Sequence, residues 1–344
     1  MLALAQLDKG PKTQIMLTSI YADNVEALPS SQRDRPEHCE VAIIGGGLTG
    51  VTAALHLAEH GYDVVLLEAE TIGSGASGRN GGHLCQGWSN DFYHISKQLN
   101  SHDADLAWQA GMAAVDMVKS RIKKHSIKCD LQFGYLHAAL HQRQLRELLE
   151  MQDEWSHRGY NELTPLTNRS SLYAHINSQS YCGGLYDNGS GQIQPLKYLI
   201  GLAIACRKAG AHILEHSRVV KIDRRAKKTL YFQNAPPLIA KRVVLCGNAY
   251  LTDIGLPNMS RRLAKVTSSV LATTPLSNNM IQHILPSRAT VADCNTELNY
   301  YRIDADNRMI FGGRASYTNV NIGNIETNLR RRMVSVFPVL ENAE

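Results

Sequence analysis

Long apolar segments are missing from this sequence of 344 residues. No apolar run approaches the roughly 18 residues that a helix needs to cross a bilayer. The apolar start at residues 1–7 is too short for a secretory signal and is interrupted by Asp8. We therefore expect a cytoplasmic protein with no membrane span.

Paired cysteines and clustered metal ligands are also absent. The seven cysteines are odd in number, and no two of them lie within four residues of each other. This spacing argues against a disulfide framework and against a zinc site. We expect reduced, mostly buried thiols and no bound metal.

Neither sign of charge predominates in this sequence. The 36 basic and 31 acidic residues leave a net charge of only +5, and short basic runs occur at 224–228 and 330–332. This excess is too small and too dispersed for a surface that binds nucleic acid. Hydrophobic residues (44%) far outnumber charged ones (19%), which excludes disorder and predicts a buried core.

A glycine-rich turn follows the first predicted strand, residues 40–44. The turn, GGGLTG at 45–50, matches G-x-G-x-x-G, and helical periodicity runs from it to Gly61. A second apolar strand at 63–68 ends in Glu68, 18 residues after Gly50. This context predicts a β-α-β unit with parallel strands that binds a dinucleotide.

Each residue of this unit has a separate expected role. The first glycine allows the tight turn, the second admits a pyrophosphate, and the third lets the helix pack on the strand. The helix start offers N–H groups to phosphates. The acid can accept hydrogen bonds from ribose hydroxyls, and its negative charge would repel a 2′-phosphate. The predicted contacts are Gly45, Gly47, Leu48, Thr49, Gly50 and Glu68.

The next segment, residues 73–82, is again rich in glycine. Ser77, Arg79 and Asn80 are interleaved with its glycines. Such a loop can wrap an extended ligand through backbone contacts, whereas a nicotinamide dehydrogenase would normally continue into a helix here. The loop therefore favours FAD over NAD, with a flexible surface loop as the alternative.

These motifs resemble the D-amino-acid-oxidase-type superfamily of FAD-dependent oxidoreductases. The resemblance is strongest over 39–84, where the ASGRNGG loop is the most diagnostic segment. It continues through GQIQP at 191–195, VVLCGNAY at 243–250, DCN at 293–295 and YYR at 300–302. Within the superfamily the sequence is most similar to the gamma-glutamylputrescine oxidase branch.

The resemblance implies both an activity and a fold. The activity is FAD-dependent oxidation of a primary amine, such as gamma-glutamylputrescine, to the aldehyde, with O₂ as electron acceptor and ammonia and hydrogen peroxide as products. The fold is α/β, with a Rossmann-like, doubly wound FAD domain and an α+β substrate domain built on a large mixed or antiparallel sheet.

The expected domains are discontinuous. The FAD domain is assigned to 38–90 and 191–256, and the substrate domain to 91–190 and 257–344, after a loosely ordered lead-in at 1–37. A long helix over 104–124 is predicted, with Leu106, Ala110, Ala113 and Met117 on its apolar face.

The resemblance also implies FAD contacts outside the β-α-β unit. The glycine-rich loop would hold the flavin side of the cofactor, a strand backbone would contact the adenine, and a strand end would approach the cofactor. The corresponding residues are Ser77, Arg79, Asn80, Gly81, Val219 and Gly247. Val219 is equally well explained as a core valine, and Gly247 as a glycine that ends its strand.

The candidates for catalysis are His83, which follows the loop, and Tyr301 and Arg302, on a predicted hairpin at 298–311. In amino-acid oxidases of the superfamily an arginine on this hairpin binds the substrate carboxylate. Aligned from the Gly312-Gly313 pair, that position falls near Asp304. This departure favours an amine substrate over an amino acid.

Superfamily members continue for several dozen residues beyond the segment that matches Phe337 and Pro338, through a glycine-rich stretch that closes over the flavin ring. Three functions therefore stay open on sequence grounds. They are an amine oxidase, a related oxidase or dehydrogenase of an amino acid or N-methyl amine, and a truncated, inactive homologue.

Overall fold

The computed structural model describes residues 19–29, 35–89, 91–223, 227–254, 261–264, 266–316 and 325–343. Fourteen strands lie within these ranges: β1 His38–Ile44, β2 Val64–Leu67, β3 His83–Leu84, β4 Gln132–Ala139, β5 Leu163–Leu166, β6 Gly183–Gln192, β7 His212–Leu214, β8 Val219–Asp223, β9 Lys228–Phe232, β10 Leu238–Leu245, β11 Thr267–Ala272, β12 Thr290–Asp293, β13 Tyr300–Ile303 and β14 Met309–Ser316.

The same ranges contain eight α-helices: α1 Leu48–Glu59, α2 Phe92–Ser96, α3 Ser101–His125, α4 Gln142–His157, α5 Arg169–Tyr173, α6 Pro195–Lys208, α7 Asn278–Ile284 and α8 Ile325–Val336. Short 3₁₀ helices occur at Ile20–Asn24, Ala76–Gly78, Asn248–Asp253 and Pro338–Leu340. None of the described helices is long and apolar enough to cross a membrane.

The first sheet has the order β7-β2-β1-β10-β9-β8. Strands β7, β2, β1 and β10 are parallel, and β9 and β8 continue the sheet antiparallel. The central runs at 41–44 and 64–67 are entirely buried, as expected for parallel strands covered on both faces. Helices α1 and α6 cover one face, and Leu251 of the 3₁₀ helix at 248–253 belongs to a second core that also contains residues of β1, β2, β8, β9 and β10.

The predicted β-α-β unit is present. Gly45 has φ of +115°, and a Cβ at Gly50 would lie 1.9 Å from the carbonyl oxygen of Gly45. Only a residue without a side chain therefore lets α1 start this close to β1. Gly61, with φ of +80°, follows the end of the helix.

The second sheet has the order β11-β14-β13-β12-β4-β6-β3, with β5 paired to β6. All neighbours are antiparallel except β12 and β4, so the predicted mixed sheet is confirmed. Residues of α5, α7 and α8 form a core on one face, and α4 packs on the other. The hairpin expected at 298–311 corresponds to β13 and β14, with Asn307 at φ of +62° in the turn.

The long helix is present, but the apolar face predicted for it is wrong. Leu106 and Met117 are 51% and 53% exposed, whereas the buried positions of α3 are Ala104, Gly111 and Val115. The helix carries two apolar stripes. The one containing Val115 is buried because it faces α6 and the core of the first sheet.

The expectation of a loosely ordered lead-in is wrong for residues 19–29. Ser19 caps the 3₁₀ helix at 20–24, and Tyr21 within it is only 3% exposed. Two hydrogen bonds hold this segment on the glycine-rich loop: Ser19 Oγ donates to the Gly78 carbonyl, and Tyr21 Oη donates to the Asn80 carbonyl, both at 3.0 Å. Residues 1–18 and 30–34 of the lead-in lie outside the described ranges.

The seven cysteines all lie in described residues and are free thiols, as predicted. The expectation that most are buried holds for Cys39, Cys129 and Cys206 only, because Cys85 is exposed and the other three are partly exposed. Burial raises the pKa of Cys39 and Cys206 to about 12, so both stay protonated.

The strands of the first sheet all fall inside the ranges assigned to the FAD domain, and most of the second sheet falls inside the substrate ranges. Two strands depart from this division. β3, from the 38–90 range, pairs with β6 of the second sheet, and β6 ends two residues past the boundary at 190. The domain boundaries remain a proposal.

Candidate functional site

The glycine turn and the start of α1 form the first part of the site. Residues 45–50 lie at the carboxyl end of β1, and Thr49 is exposed at the open end of the helix. Helix N-termini carry N–H groups that have no partner within the helix, and a positive dipole end. This end of α1 can therefore receive a phosphate.

Glu68 lies beside this turn. One carboxylate oxygen accepts the Gly46 N–H at 2.6 Å, and the other accepts the Glu70 N–H at 2.9 Å. A Cβ at Gly46 would lie 2.9 Å from the same carboxylate. The acid at the end of the second strand is thus fixed against the glycine turn, where a ribose could reach it.

The glycine-rich loop closes over the start of α1 through Ser77. Its hydroxyl accepts the Leu48 N–H at 3.0 Å, and a Cβ at Gly47 would approach this hydroxyl to 2.8 Å. The 3₁₀ helix at Ala76–Gly78 places the serine at this point. Glycine at position 47 therefore keeps a narrow space open between loop and helix.

Arg79 and Asn80 shape the loop itself. The Arg79 guanidinium donates to the carbonyls of Ser74 and Gly75. The Asn80 amide donates to the Ser77 carbonyl at 3.0 Å and accepts the Gly82 N–H at 2.8 Å. Both side chains stabilise the loop conformation in this structure.

The structure brings Gly247 to the glycine turn. Gly247 follows β10, and a Cβ at Gly45 would lie 2.5 Å from the Cys246 carbonyl and 2.9 Å from the Gly247 nitrogen. Val219, at the start of β8, is 4% exposed and belongs to the core on the second face of the first sheet. Two residues before it, the Ser217 N–H donates to the Glu68 carbonyl at 2.7 Å, so this backbone passes next to the acid.

Arg302 borders a cavity of about 320 Å³ together with Tyr21 and Gln192, but most of its surface is buried. It is 2% exposed, and its guanidinium donates to the Gly81 carbonyl at 2.5 Å, the Gln192 side chain at 2.9 Å and the Tyr21 hydroxyl at 3.0 Å. We call this set of contacts the arginine clamp. These contacts give Arg302 a role in positioning the loop, and a catalytic role for it stays a prediction.

Tyr301 is likewise a core residue. It is fully buried, its ring stacks on Phe311 at 5.3 Å, and its hydroxyl donates to Tyr181 at 3.0 Å. Because side chains alternate along a strand, its neighbour Tyr300 lies on the opposite face. Tyr301 is thus withdrawn as a catalytic candidate.

His83 directly follows the loop and remains a catalytic candidate. Its ring makes edge contacts with Tyr300 at 5.4 Å and Tyr135 at 5.7 Å. Its Nε2 is buried and has no hydrogen-bond partner among the described residues. Burial, with a smaller contribution from the Arg302 charge, lowers the pKa of His83 to about 3. At neutral pH the ring is uncharged and can orient a neighbouring group by hydrogen bonding.

The sequence reasoning did not single out Tyr21, Tyr135 or Gln192. The period-2 pattern of β4 could have placed Tyr135 on a sheet face, but Tyr21 lies in a segment without periodicity. No group of three or more histidine, cysteine or acidic side chains in the described ranges could hold a metal ion.

The comparison with known families agrees with this geometry. The model of the family described as "FAD dependent oxidoreductase" matches residues 40–344. The chain belongs to this family. It is therefore an FAD-dependent oxidoreductase, and the glycine turn and loop lie within the matched region.

Individual relatives are consistent with this assignment. A "Probable oxidoreductase OrdL" of Haemophilus influenzae is 36% identical, over 96% of this chain and 78% of the relative. The "Gamma-glutamylputrescine oxidoreductase" of Escherichia coli is 35% identical, over 89% of this chain and 71% of the relative. Glycine oxidase from Geobacillus kaustophilus shares the fold, with a TM-score of 0.69 at 20% identity, over 90% of this chain and 80% of that structure.

The arginine clamp predicts an effect of Tyr21→Phe. The change removes a hydroxyl that both accepts from Arg302 and donates to the Asn80 carbonyl. We expect the free energy of unfolding to fall by about 1–3 kcal/mol, and FAD affinity to fall about fivefold because the loop loses an anchor. Urea unfolding and FAD titration measure the two effects, with Tyr62→Phe at an exposed position as the control. Lower stability with unchanged FAD affinity would show that the clamp does not position the loop.

The low pKa of His83 predicts a pH-dependent stability. The folded-state pKa of about 3 lies below the ordinary value near 6.5. The unfolded chain therefore binds more protons below about pH 6.5, and stability is lost as the pH falls from there toward 3. Between about pH 6.5 and pH 5, we expect the free energy of unfolding of His83→Asn to fall by about 1–2 kcal/mol less than that of the parent protein.

Urea unfolding of the flavin-free proteins at several pH values measures this difference. Replacing the exposed His102 by asparagine provides the matched control. Parallel pH profiles for the parent and His83→Asn would contradict a neutral, desolvated imidazole.

Proposed function

We propose that this FAD-dependent oxidoreductase oxidises a primary amine, such as gamma-glutamylputrescine, to the aldehyde. Water and O₂ are consumed, and ammonia and hydrogen peroxide are released. The proposal includes a cytoplasmic role in putrescine degradation. It is supported by the 35% identity to gamma-glutamylputrescine oxidoreductase of Escherichia coli.

The contacts made by the arginines of the hairpin favour an amine over an amino acid as the substrate. Between residues 300 and 313, Arg302 is held in the arginine clamp, and Arg308 is paired with Asp304 at 2.8 Å and with Asp306 at 2.9 Å. The position expected for a carboxylate-binding arginine is thus a buried acid, Asp304, with its own partner. Arg302 and Arg308, the two arginines of residues 300–313, are therefore not available for an amino-acid carboxylate in this arrangement.

The described residues fit FAD. A Cβ at Gly45, Gly47 or Gly50 would collide with neighbouring atoms, so the three glycines keep the turn open. We place the pyrophosphate there, with Leu48 and Thr49 at the helix start. Glu68 would accept hydrogen bonds from the adenosine ribose hydroxyls. The backbones near Val219 and Gly247 would border the adenosine half of FAD. The loop from Ser77 to Gly81 would border the flavin.

When bound, FAD supplies a two-electron acceptor for the carbon–hydrogen bond next to the amine. The protein's part is to orient the amine and to exclude water. His83 serves by its unpaired Nε2, which can hydrogen-bond to a substrate or to the cofactor. With a pKa of about 3 it is too weak a base to remove the ammonium proton at neutral pH. The amine must therefore enter in its neutral form or lose its proton to water.

The placement of FAD predicts the effects of Glu68→Ala and Gly47→Val. Loss of a charged hydrogen bond to the ribose costs about 1.5–3 kcal/mol, and valine at 47 would fill the space next to Ser77. We expect FAD affinity to fall at least tenfold in both variants. Flavin titration followed by absorption measures it, with the exposed Glu150→Ala as the control. Unchanged FAD affinity in both variants would show that FAD binds elsewhere.

The activity is tested with a panel of amines and amino acids in the presence of added FAD. We expect peroxide release from mono-acylated diamines such as gamma-glutamylputrescine, with kcat/KM at least tenfold above that for D- or L-amino acids and N-methyl amines. A clear preference for an amino acid or N-methyl amine would replace the proposed substrate. Tight FAD binding without turnover on any member of the panel would favour an inactive homologue.

A further inference from the structure

All three tryptophans of the chain border one cavity. Trp88, Trp108 and Trp155, with Phe92, surround a volume of about 280 Å³ between α3, α4 and the segment that follows β3. We call this cavity the tryptophan cleft. Trp155 is only 7% exposed, whereas Trp88 is 50% exposed. The cleft therefore runs from solvent to buried aromatic walls.

Trp88 is the ring that a ligand meets first. Its pyrrole edge contacts α3, because Nε1 donates to the Ala107 carbonyl at 2.9 Å and a Cβ at Gly111 would lie 2.8 Å from the same nitrogen. This contact holds the indole in place and leaves its six-membered ring as the part that a ligand can reach. A fixed, half-exposed indole at the opening suits recognition more than core packing.

The neighbouring rings already bind a positive charge. The Arg158 guanidinium lies 4.6 Å from the centre of the Phe92 ring and 5.6 Å from that of Trp108. Aromatic faces attract cations through their quadrupole. Arg158 does not line the cleft, so it leaves the cleft side of both rings open, and its own charge is paired with Glu154 and Asp105.

The charged side chains that line the cleft are both acidic. They are Asp91 and Glu147, and none of the described lining residues is a lysine or an arginine. His137 also lines the cleft, but burial lowers its pKa and leaves the ring uncharged at neutral pH. Glu147 pairs with Arg143 at 3.3 Å, and both side chains are exposed, so this ion pair is weak. The cleft therefore carries an excess of negative charge.

Two neighbouring groups respond to this negative charge. Burial and, less strongly, the charge of Asp91 raise the pKa of Glu154. Burial raises the pKa of Cys294, another lining residue, to about 12, with smaller contributions from Asp293 and Glu147. The field of Asp91 and Glu147 thus reaches both the Glu154 side and the Cys294 side of the cleft.

Aromatic walls and acidic side chains together select a class of ligand. An anion would be repelled by both carboxylates. No group of three or more histidine, cysteine or acidic side chains in the described ranges could hold a metal ion. A cation that packs on aromatic rings and needs charge balance at a distance fits both features.

The scarcity of free acceptors decides between organic cations. A primary ammonium has three N–H groups that lose their water on entering the cleft. The Gln144 side chain, which lines the cleft, already accepts the Leu140 N–H and donates to the Cys294 carbonyl. A trimethylammonium group has no N–H to satisfy, and its methyl groups suit the faces of aromatic rings.

The cleft is separate from the candidate reaction site. His137 lines the cleft, and its ring lies 4.8 Å from that of Tyr135, which lies 5.7 Å from that of His83. Tyr135 is only 5% exposed, so its ring closes the way from the cleft to His83. A ligand in the cleft is therefore bound and not oxidised, and the inference does not rest on the proposed amine oxidation.

We propose that the tryptophan cleft binds the trimethylammonium group of a small molecule. The methyl groups pack on Trp88, Trp108 and Phe92, and the carboxylates of Asp91 and Glu147 balance the positive charge. The cleft is thus a second ligand site of this oxidoreductase, outside the FAD site.

Three probes of similar size test the ligand class. Choline carries the trimethylammonium group, 3,3-dimethylbutan-1-ol has the same shape without the charge, and ethanolamine has the same chain with a primary ammonium. Calorimetry on the full chain with FAD gives the dissociation constants. We expect choline to bind at least tenfold more tightly than either of the other two probes. Because every tryptophan lines the cleft, choline also changes the intrinsic fluorescence.

Three variants test the assigned contacts. Trp88→Leu keeps an apolar side chain and removes the aromatic ring. Asp91→Asn removes a charge and keeps a side-chain oxygen for the Tyr93 N–H, which Asp91 accepts at 3.1 Å. Glu147→Gln removes the other charge. We expect each change to weaken choline binding about fivefold or more. The control Glu150→Gln, at an exposed position on α4 that does not line the cleft, leaves the affinity for choline unchanged.

Urea unfolding verifies that each variant is folded, and the two acidic variants decide the question if Trp88→Leu is not. No measurable binding of choline, or equal binding of choline and its uncharged analogue, would overturn the proposal. Ethanolamine that binds as tightly as choline would overturn the assignment to a trimethylammonium group. Full affinity for choline in all three variants would show that the cation binds outside the cleft.

Discussion

Arg302 places a guanidinium where only 2% of the residue is accessible to water. Burying such a charge costs several kcal/mol unless its N–H groups find acceptors. The acceptors come from three separate segments: Tyr21 before the first strand, Gly81 in the glycine-rich loop and Gln192 at the end of β6. Any one of these segments could move away only by leaving a buried charge without full compensation.

This constraint joins the two sheets at the point where the glycine-rich loop passes between them. The loop begins next to the glycine turn of the first sheet, through Ser77, and ends in β3, which pairs with β6 of the second sheet. A carbonyl of the loop, that of Gly81, is bound by an arginine of β13. The glycine-rich loop is therefore held by residues of both sheets.

The region beyond the loop contains two uncharged histidines and a protonated thiol. His83 and His137 both have lowered pKa values because they are buried, and Cys294 is kept as a thiol.

Local sequence patterns determined those parts of the fold whose contacts join residues close together in the chain. The β-α-β unit follows from two fully apolar strands, a 3.6-residue periodicity and glycines whose Cβ atoms would collide within the turn. The hairpin around Asn307 and the free state of the cysteines follow in the same way, from turn chemistry and spacing. The FAD-dependent family was recognisable because the segment of strongest resemblance, 39–84, is continuous in sequence.

Only the tertiary structure decided which of two apolar helix faces, or which of two neighbouring strand side chains, is buried. Helix α3 has two apolar stripes, and only its contact with α6 selects the one at Val115. Alternation places Tyr300 and Tyr301 on opposite faces of β13, but only the core of the second sheet decides that Tyr301 is inside. The arginine clamp joins residues 281 positions apart, and the rings of Trp88, Trp108 and Trp155 border one cavity although they come from separate segments. Such contacts leave no periodic signal in the sequence, because they depend on how distant segments pack.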